Sequence, residues 1–278
     1  MDHKNYTTVD KIFELLDHLQ QHILSYLSIN EVVQSSVLSK RWNHVWTAIP
    51  ILGFDTTLYG YREYKSKKNL DMQRKLQDFY ILSDVKKLSL NFVARYCFGR
   101  YQLPQSVLVA KSITMLTLCR CKLDTYRGDI NLSSLKKLSL FYVITDDKRI
   151  QKLVAGCPMI EEMRFLGCNG LKSIKFSALI KAKLIEVELN DDLERVDLGA
   201  SNLYAVHIRQ TKHCEINLLS CNNLRMLKLS APNITDEWCH NHFSQLPLIE
   251  YLNIYDCCML ERLKISSHRL KTLFWSSF

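Results

Sequence analysis

Glycine and proline are scarce in this chain of 278 residues, with 8 and 5 copies. That scarcity argues against disordered and fibrous proteins, which are rich in one or both. No apolar run approaches the roughly 18 residues that a membrane span needs, and the N-terminal residues lack the apolar centre of a signal peptide. These absences predict a protein of the nucleus, the cytoplasm or both, with no membrane as a partner.

Disulfides are not expected, although the chain has 10 cysteines, because thiols stay reduced in those compartments. Hydrophobic residues make up 47% of the chain and charged residues 23%, the balance of a globular protein with a substantial core. The formal net charge of +9 is compatible with nucleic-acid binding. The basic residues are scattered, however, and no zinc-finger or RNA-binding signature accompanies them. A solvated basic surface is therefore favoured over nucleic acid as a partner.

One apolar pattern recurs along the chain, and it consists of an apolar residue followed by two more at the third and fifth positions after it. Successive copies begin roughly 19 to 28 residues apart, which brackets the range of leucine-rich repeats. The last two apolar positions alternate with polar residues, as in a short strand with one buried face. Since no copy can bury that face alone, the copies must stack as a solenoid. The copies are Val85, Leu88 and Leu90; Ile113, Leu116 and Leu118; Leu135, Leu138 and Leu140; Ile160, Met163 and Phe165; Leu184, Val187 and Leu189; Leu203, Val206 and Ile208; Leu224, Leu227 and Leu229; Ile249, Leu252 and Ile254; and, in part, Leu270 and Leu273.

Five cysteines fall in slots that the repeat defines. Cys121, Cys168 and Cys257 each follow the last apolar position of a copy by three residues. Leucine-rich repeats take Asn or Cys there, because the side chain can donate to backbone carbonyls at the turn that leaves the strand. Cys157 and Cys221 each precede a copy by three residues. All five are predicted to be structural.

The segments that return from one strand to the next are predicted to differ along the chain. A helix is expected between residues 145 and 156, with Thr145 as its N-cap and Gly156 at its end. Its apolar face would consist of Ile150, Leu153 and Val154. In the C-terminal half, weaker copies at half the period predict returns that are largely short strands or extended turns, with no full helix between residues 190 and 203. These weaker copies are Leu171, Ile174 and Phe176; Leu193, Val196 and Leu198; and Leu260, Leu263 and Ile265.

Residues 12–50 have a different pattern, with apolar residues at helical spacing. Asp17 with Gln20 resembles a helix start, and the capping-box pattern of Ser28 and Glu31 predicts a second helix. The apolar stripe of the first helix is Leu19, Ile23, Leu24 and Leu27. A third helix is expected to carry Trp42, Val45 and Trp46. Three short helices with this much apolar surface either fold against each other or dock onto a partner.

The N-terminal module and the repeats together resemble a known family. Residues 12–55 resemble a plant F-box, most specifically in the sequence SVLSKRWNHVW from Ser36 to Trp46. The later segments YQLPQSVLVAKSITMLTLCRCKL and LKSIKFSALIKAKLIEVEL are similar to the repeats of plant F-box/leucine-rich-repeat proteins. The resemblance implies an α+β fold in which an N-terminal three-helix F-box is followed by a curved leucine-rich-repeat solenoid.

The predicted organisation has four parts. They are an N-terminal tail over residues 1–11, the F-box over 12–55, a linker over 56–84 with a helix near 69–82, and the solenoid over 85–278. The last residues, LKTLFWSSF, end within a repeat copy and leave apolar side chains at an open end. Terminal repeats normally carry a polar cap. A short or truncated family member that self-associates is therefore expected.

The resemblance also implies the function of a substrate-recognition subunit of an SCF-type ubiquitin ligase. In such complexes the F-box binds a Skp-family adaptor, the adaptor binds a cullin, and the repeats hold a protein target. The F-box protein itself is not an enzyme, and no cofactor is implied. The alternative is a non-ligase interaction scaffold with a weakened F-box, because Leu16 and Ser28 stand where family members usually have proline. Without the fixed φ of proline at position 16, adaptor binding is expected to weaken by roughly 1 kcal/mol.

The F-box resemblance implies a set of adaptor-binding residues. They are Leu15, Leu16, Asp17, Ile23, Leu24, Leu27, Val37, Leu38 and Trp42. The alternative for Ile23, Leu27 and Trp42 is that they hold the three helices together. Trp46 and Ile49 are expected to pack against the first repeat.

Only one residue, Tyr255, stands out as a candidate for substrate binding, because it follows a strand directly and could point to the binding face. With Trp238, Phe243, Tyr251 and Trp275 it could line a ligand or substrate pocket near the C-terminal repeats, although such aromatic residues more often fill the core or cap the end of a solenoid.

Catalytic and metal sites are not predicted. The chain has no glycine-rich phosphate loop, nucleophile elbow or paired acid motif. Cys239, His240 and His242 lie close together, with Cys257 and Cys258 one repeat later, but the pair-plus-pair spacing of a zinc site is absent. Buried thiols are the favoured interpretation.

Overall fold

The computed structural model describes residues 15–25, 51–55, 85–92, 103, 105–123, 128–176, 179–265 and 267–276. The helices in these residues are α1 (Asp17–Ser25), α2 (Gln105–Leu108), α3 (Asp147–Ala155) and α4 (Asp236–Phe243). The strands are β1 (Ile51–Asp55), β2 (Lys87–Asn91), β3 (Met115–Cys119), β4 (Lys137–Phe141), β5 (Glu162–Leu166), β6 (Ser173–Phe176), β7 (Leu184–Glu188), β8 (Arg195–Leu198), β9 (Ala205–Arg209), β10 (Glu215–Asn217), β11 (Met226–Ser230), β12 (Tyr251–Ile254) and β13 (Thr272–Trp275).

Ten of these strands form one parallel sheet in the order β1-β2-β3-β4-β5-β7-β9-β11-β12-β13. Every pair of neighbours is in the same register, so that Leu88 of β2, Leu116 of β3 and Leu138 of β4 lie side by side. From β2 to β12, the second and fourth residues of each strand are buried and the residues between them lie on the outer face. The parallel one-sided strands predicted from the repeat are confirmed.

A second parallel sheet has three short strands in the order β10-β8-β6. The apolar core lies between the two sheets, as shown by the rings of Phe165 in β5 and Phe176 in β6, whose centroids are 6.0 Å apart. One continuous cluster of buried residues runs from Val85 to Leu260. Each strand from β2 to β12 contributes only one or two residues to this core, so burial depends on the stacking of neighbours.

One predicted repeat copy is wrong by two residues. The buried positions of the fifth copy are Ala182, Ile185 and Val187, whereas Leu184 and Leu189 are only half-buried. The pattern misled because alanine, a small residue, occupies the first core position. Leu184 and Leu189 stand two residues after the first and last core positions and so reproduce the spacing of the repeat on non-core positions. Leu184 therefore points away from the core.

The helical return over residues 145–156 is confirmed with one correction. Ile150, Leu153 and Val154 are buried and Gly156 follows the last helical residue. The N-cap is Asp146 rather than Thr145, because the carboxylate Oδ1 of Asp146 accepts the backbone N–H of Arg149 at 2.9 Å. A negatively charged cap is also favoured by the positive end of the helix dipole.

The predicted strand returns are confirmed at β6 and β8, and no helix lies between residues 190 and 203, all of which are described. A third return strand, β10, was not predicted. The prediction of a largely strand-like C-terminal half is wrong at α4, and residues 261–265 form no strand although Leu260 is buried. A return strand over residues 261–265 would need a neighbouring return strand to pair with. The preceding repeat returns through α4, so it supplies no such strand.

The turn after five strands of the large sheet uses a left-handed backbone. The positive φ angles belong to Arg120, Tyr142, Gly167, Leu189 and Asp256, each two residues after the last buried residue of its strand. Arg120 stacks over the ring of Tyr142 at 5.1 Å, and a Cβ on Gly167 would lie 2.6 Å from that ring. The repeat thus imposes the same unusual conformation on different residue types.

At the N-terminus, α1 begins at Asp17, as predicted. The second and third predicted helices and the linker helix near 69–82 lie outside the described residues. Residues Ile51–Asp55, placed with the N-terminal module in the sequence, pair as β1 with β2. The sheet therefore begins before residue 85.

Candidate functional site

The described part of the N-terminal module presents apolar side chains to solvent. Leu16, Leu19 and Ile23 are 62%, 41% and 41% exposed, whereas the large-sheet strands from β2 to β12 bury their second and fourth residues. The carbonyl of Leu16 accepts the N–H groups of Leu19 and Gln20 at 2.9 and 3.1 Å and so starts the helix. Positions 16, 19 and 23 share one helix face. We call these three residues the α1 surface.

The predicted adaptor-binding residues fall partly on this surface. Leu16 and Ile23 belong to it, and Leu15 is half-buried beside it. Asp17 and Leu24 are residues of helix α1. Four predicted residues lie outside the described residues, namely Leu27, Val37, Leu38 and Trp42. Trp46 and Ile49, assigned to packing, also lie outside them.

A second candidate surface is the outer face of the large sheet, where ion pairs connect neighbouring strands. Lys137 of β4 contacts Glu162 of β5 at 2.7 Å. One repeat further on, Arg164 of β5 contacts Glu186 of β7 at 2.8 Å. Such half-exposed pairs contribute little stability each, but they hold the side chains of the face in fixed positions.

Turns that precede the strands carry a similar arrangement. Glu161 accepts a hydrogen bond from Lys183 at 2.7 Å and lies 3.5 Å from Lys136. The bond from Lys183, with the charge of both lysines, lowers the pKa of the Glu161 carboxyl below its usual value. Glu161 thus links the repeats on either side and stays ionised.

An open groove of about 820 Å³ lies on this face across β5, β7, β9 and β11. Its apolar lining includes Ile180, Leu184, Tyr204 and Met226. Ile180 and Tyr204 are 74% and 46% exposed. Leu184 and Met226 occupy outer positions of their strands, where the alternation requires a polar residue. We call this feature the sheet groove.

Sequence reasoning missed the sheet groove for an identifiable reason. Leu184 was assigned to the core in the copy that is wrong by two residues. Once that copy is corrected to Ala182, Ile185 and Val187, apolar residues at outer positions become visible in the sequence. Leu184 and Met226 are those residues, and they lie two strands apart in the same row of the sheet.

The candidate residue Tyr255 belongs to a short polar chain beside the groove. Its hydroxyl lies 3.3 Å from Nε2 of His207, and Nδ1 of His207 lies 3.3 Å from Oε1 of Glu188. Burial lowers the pKa of His207, although Glu188 opposes that shift. Burial also raises the pKa of the Tyr255 phenol. A role for Tyr255 in substrate binding stays a prediction.

The residues once considered for zinc have other contacts. His242 stacks on Trp238 with ring centroids 3.9 Å apart, and its Nδ1 lies 3.0 Å from the carbonyl oxygen of Trp238. Burial raises the pKa of the Cys239 thiol to about 12. Within the described ranges, no three His, Cys, Asp or Glu side chains are grouped so as to hold a metal ion.

The five cysteines of the repeat slots are buried and structural. The thiol of Cys168 donates to the carbonyl of Leu140 at 3.5 Å, and that of Cys221 to the carbonyl of Leu198 at 3.1 Å. Cys157 donates to Leu153 at 3.1 Å in the same way. Burial raises the pKa of the Cys168, Cys221 and Cys157 thiols to about 12, so these three thiols are not nucleophiles.

An asparagine occupies the same slot in the misassigned copy. Asn190 is 1% exposed, and its side-chain amide donates to the carbonyls of Phe165 and Glu188 at 3.1 and 2.9 Å. Its Oδ1 accepts the N–H of Cys168 at 2.7 Å. The slot rule therefore holds at Asn190 as well, and the error in the fifth copy had hidden it.

No helix in the described residues has the length and apolarity to cross a bilayer.

Comparison with known sequences gives two family matches. The family described as "At1g61320/AtMIF1, LRR domain" matches residues 42–221, and the F-box domain family matches residues 12–52. The putative F-box/LRR-repeat protein At3g18150 of Arabidopsis thaliana is 26% identical over 277 residues, covering 92% of this chain and 58% of that protein. F-box/LRR-repeat protein 25 of the same plant is 25% identical over 230 residues, covering 74% of this chain and 88% of that protein. The chain spans 55% to 60% of the length of three such relatives.

Proposed function

Because this chain belongs to the plant F-box/leucine-rich-repeat family, we propose that it is the substrate-recognition subunit of an SCF-type ubiquitin ligase. Its F-box would bind a Skp-family adaptor and, through it, a cullin. The outer face of its repeats would bind the protein target. The proposed location is the nucleus, the cytoplasm or both.

The observation that carries the proposal is the contrast between the α1 surface and the repeats. Leu16, Leu19 and Ile23 are exposed although they are apolar, and clustered exposed apolar side chains mark binding surfaces. This surface lies within the segment that the F-box family matches. The second and fourth residues of the large-sheet strands from β2 to β12 are buried in the core and are not available to a partner.

In this proposal the protein does no bond chemistry. It holds a target near the ubiquitin-conjugating enzyme and so raises the effective concentration of a target lysine there. The parallel sheet suits this task, because ion pairs such as Lys137 with Glu162 keep its outer face ordered before binding.

The test is co-expression of the full chain with a Skp-family adaptor, followed by co-purification. Ile23→Asp places a charge on the α1 surface and is expected to weaken adaptor binding at least about tenfold. Leu219→Asp is the matched control, because Leu219 is 45% exposed and lies beside the second sheet. Equal capture of both variants would refute the role of α1.

A second candidate function is a non-ligase interaction scaffold, and Leu16 is the residue that favours it. Leu16 immediately precedes α1 and supplies the first helical acceptor through its carbonyl, a role that proline can also fill. Leu16→Pro should strengthen adaptor binding by roughly 1 kcal/mol if the missing proline matters. A chain that binds no adaptor before or after this change would support the scaffold.

A further inference from the structure

We propose that the sheet groove binds an extended protein segment in which an apolar side chain is flanked by carboxylates on both sides. The proposal rests on the proposed function, since it names the chemistry of the target that the repeats would hold. It follows from the apolar floor of the groove and from the balance of charge around it.

The floor of the groove offers a place for an apolar side chain. Leu184 of β7 and Met226 of β11 flank Ala205 of β9 in one row. The small side chain of Ala205 leaves a depression between its larger neighbours. Tyr204 and Ile180 stand at the edge and are exposed. An inserted apolar side chain would cover all of these and remove apolar area from water.

Every carboxylate that lines the groove already has a cation beside it. Glu161 is held by Lys183 and Lys136. Glu162 and Glu186 are paired with Lys137 and Arg164 as described above. A basic ligand would have to displace these pairs, which disfavours it.

Two lysines of the groove have no such partner among the described residues. Lys228 lies on β11 between His207 and Asn253, and no carboxylate of the described ranges lies within ion-pair distance of it. Lys181 contacts only the sulfur of Met159, at 2.9 Å. The lining has three lysines and three glutamates, and Lys136, Lys137 and Arg164 lie beside those glutamates. Cations therefore outnumber carboxylates around the groove, which complements carboxylates on a ligand.

The positions of these lysines set the spacing of the ligand. Lys181 lies in the turn before β7, and Lys228 lies on β11, two strands away. Lys181 precedes the row of Leu184, Ala205 and Met226 by three residues, and Lys228 follows it by two. Two strand spacings of about 4.8 Å and about five residues of 3.3 Å along the strands therefore place the two lysines roughly 19 Å apart. An extended peptide advances about 3.3 Å per residue, which places the two carboxylates about six residues apart.

A protein segment fits this site better than a nucleic acid. The two free lysines lie on either side of an apolar floor and form no continuous basic track along which a phosphate backbone could run. Among the described residues that line the groove, Tyr204 and His207 are the only ones with an aromatic ring, so a run of successive bases would lack a stacking platform.

The test uses the full chain and fluorescein-labelled peptides of twelve residues in fluorescence anisotropy. The probe has a central leucine with glutamate three positions to either side and serine or glycine elsewhere. Matched peptides replace both glutamates by glutamine or by lysine, or replace the leucine by serine. An oligothymidylate of similar charge serves as the polyanion without an apolar side chain. The probe should bind at least about tenfold tighter than each of these.

Variants of the protein locate the binding. Lys228→Glu and Ile180→Asp are expected to weaken probe binding about tenfold each. Lys148→Glu, on the exposed side of α3, and Leu219→Asp are the matched controls and should change nothing. Lys181→Glu provides a second charge reversal at an exposed turn if Lys228→Glu lowers the melting temperature.

Three outcomes would overturn the inference. They are equal binding of the glutamine or serine peptides, no effect of the groove variants, and tighter binding of the oligothymidylate. Adaptor capture is measured on the same preparations. A chain that captures adaptor but does not discriminate among the peptides would refute the groove assignment and leave the proposed function standing. A chain that discriminates among the peptides but captures no adaptor would refute the proposed function and leave the groove assignment standing.

Discussion

Five consecutive repeats of this protein share one kind of strand but use two kinds of return. The repeats that begin at Leu135 and Leu224 are each 25 residues long and return through α3 and α4. Those that begin at Ile160, Ala182 and Leu203 are 21 or 22 residues long and return through β6, β8 and β10. The length of the repeat therefore separates the helical region from the strand region.

The physical reason is that both returns cover the same distance. Helix α3 has 9 residues, which span about 13 Å at 1.5 Å per residue. Strand β6 has 4 residues, which also span about 13 Å at 3.3 Å per residue. A few extra residues can thus be taken up as helix while the strands of the large sheet keep their register. The comparison teaches that the outer face can stay regular while the opposite side varies.

Both kinds of return connect to the next repeat through backbone groups. The carboxylate of Asp147, the first residue of α3, accepts the N–H groups of Lys172 and Ser173 at 2.8 and 3.0 Å. In the strand region, the N–H of Glu194 donates to the carbonyl of Lys172 at 2.8 Å. The helical return needs a side chain to make a link that the strand return makes with its own backbone.

The largest expected effect is in thiol reactivity, where one buried cysteine from each kind of return is compared with an exposed cysteine. Cys157 in the helical region and Cys221 in the strand region occupy the same slot, and burial raises the pKa of both to about 12. At pH 8 only about one thiol in ten thousand would be ionised, so both should alkylate at least about a thousandfold more slowly than exposed Cys258.

Iodoacetamide labelling of the folded chain, followed by peptide mass spectrometry, measures these rates. Cys258→Ser should abolish labelling at position 258 and leave the rates of Cys157 and Cys221 unchanged. Fast labelling of Cys157 but not Cys221 would show that the two returns differ in how well they exclude solvent.

Core truncation should cost the same in both regions. Ile150 of α3 and Ile174 of β6 are 1% and 0% exposed. Ile150→Ala and Ile174→Ala should each lower the free energy of unfolding by about 3 kcal/mol, because each leaves a cavity under the large sheet. Denaturant unfolding checks both values. A difference of more than about 2 kcal/mol between them would mean that one return contributes far less to the core.

Asn190 should matter more than the cysteine in the equivalent slot. Asn190→Ala removes the partners of Phe165, Glu188 and Cys168 backbone groups and should lower the free energy of unfolding by about 2 kcal/mol. Cys168→Ala removes only a weak thiol donor and should cost about 1 kcal/mol. The same unfolding measurement compares them, and a cost for Cys168→Ala equal to that of Asn190→Ala would contradict the expected ranking.

The smallest effect is a pH dependence confined to one helical return. Burial lowers the pKa of His242 in α4, whereas β6, β8 and β10 contain no histidine. The unfolded chain therefore takes up the proton first. The stability that His242 contributes is complete above its ordinary pKa near 6.5 and is lost as the pH falls through the lower folded value.

His242→Phe keeps the stacking on Trp238 and should reduce the slope of unfolding free energy against pH between 5 and 7. For one proton the reduction is at most about 1.4 kcal/mol per pH unit. His240→Phe is the matched control, because His240 is exposed on the same helix. An unchanged slope in His242→Phe would show that this histidine is not the titrating group.

Much of the fold was accessible from the sequence, because the repeat has strict spacing. The spacing around Leu88, Leu116 and Leu138 predicts their strands, and all three residues are buried side by side in the sheet. The fifth copy failed where Ala182 replaced a large residue, and that single error concealed both Asn190 and the sheet groove. The N-cap Asp146 and the return through α4 were also missed, because several polar residues near each helix start could have served as caps.

What the sequence determined by itself was a stack of one-sided strands and the family. Periodic apolar residues leave stacking as the one way to bury every strand face. What only the tertiary structure decided was the set of side chains left over on the outside. Leu184 and Met226 both line the sheet groove, and Lys228 has no counter-ion among the described residues, because the fold brings residues 21 positions apart onto neighbouring strands. A surface of this kind depends on which repeats are adjacent, and no single repeat contains that information.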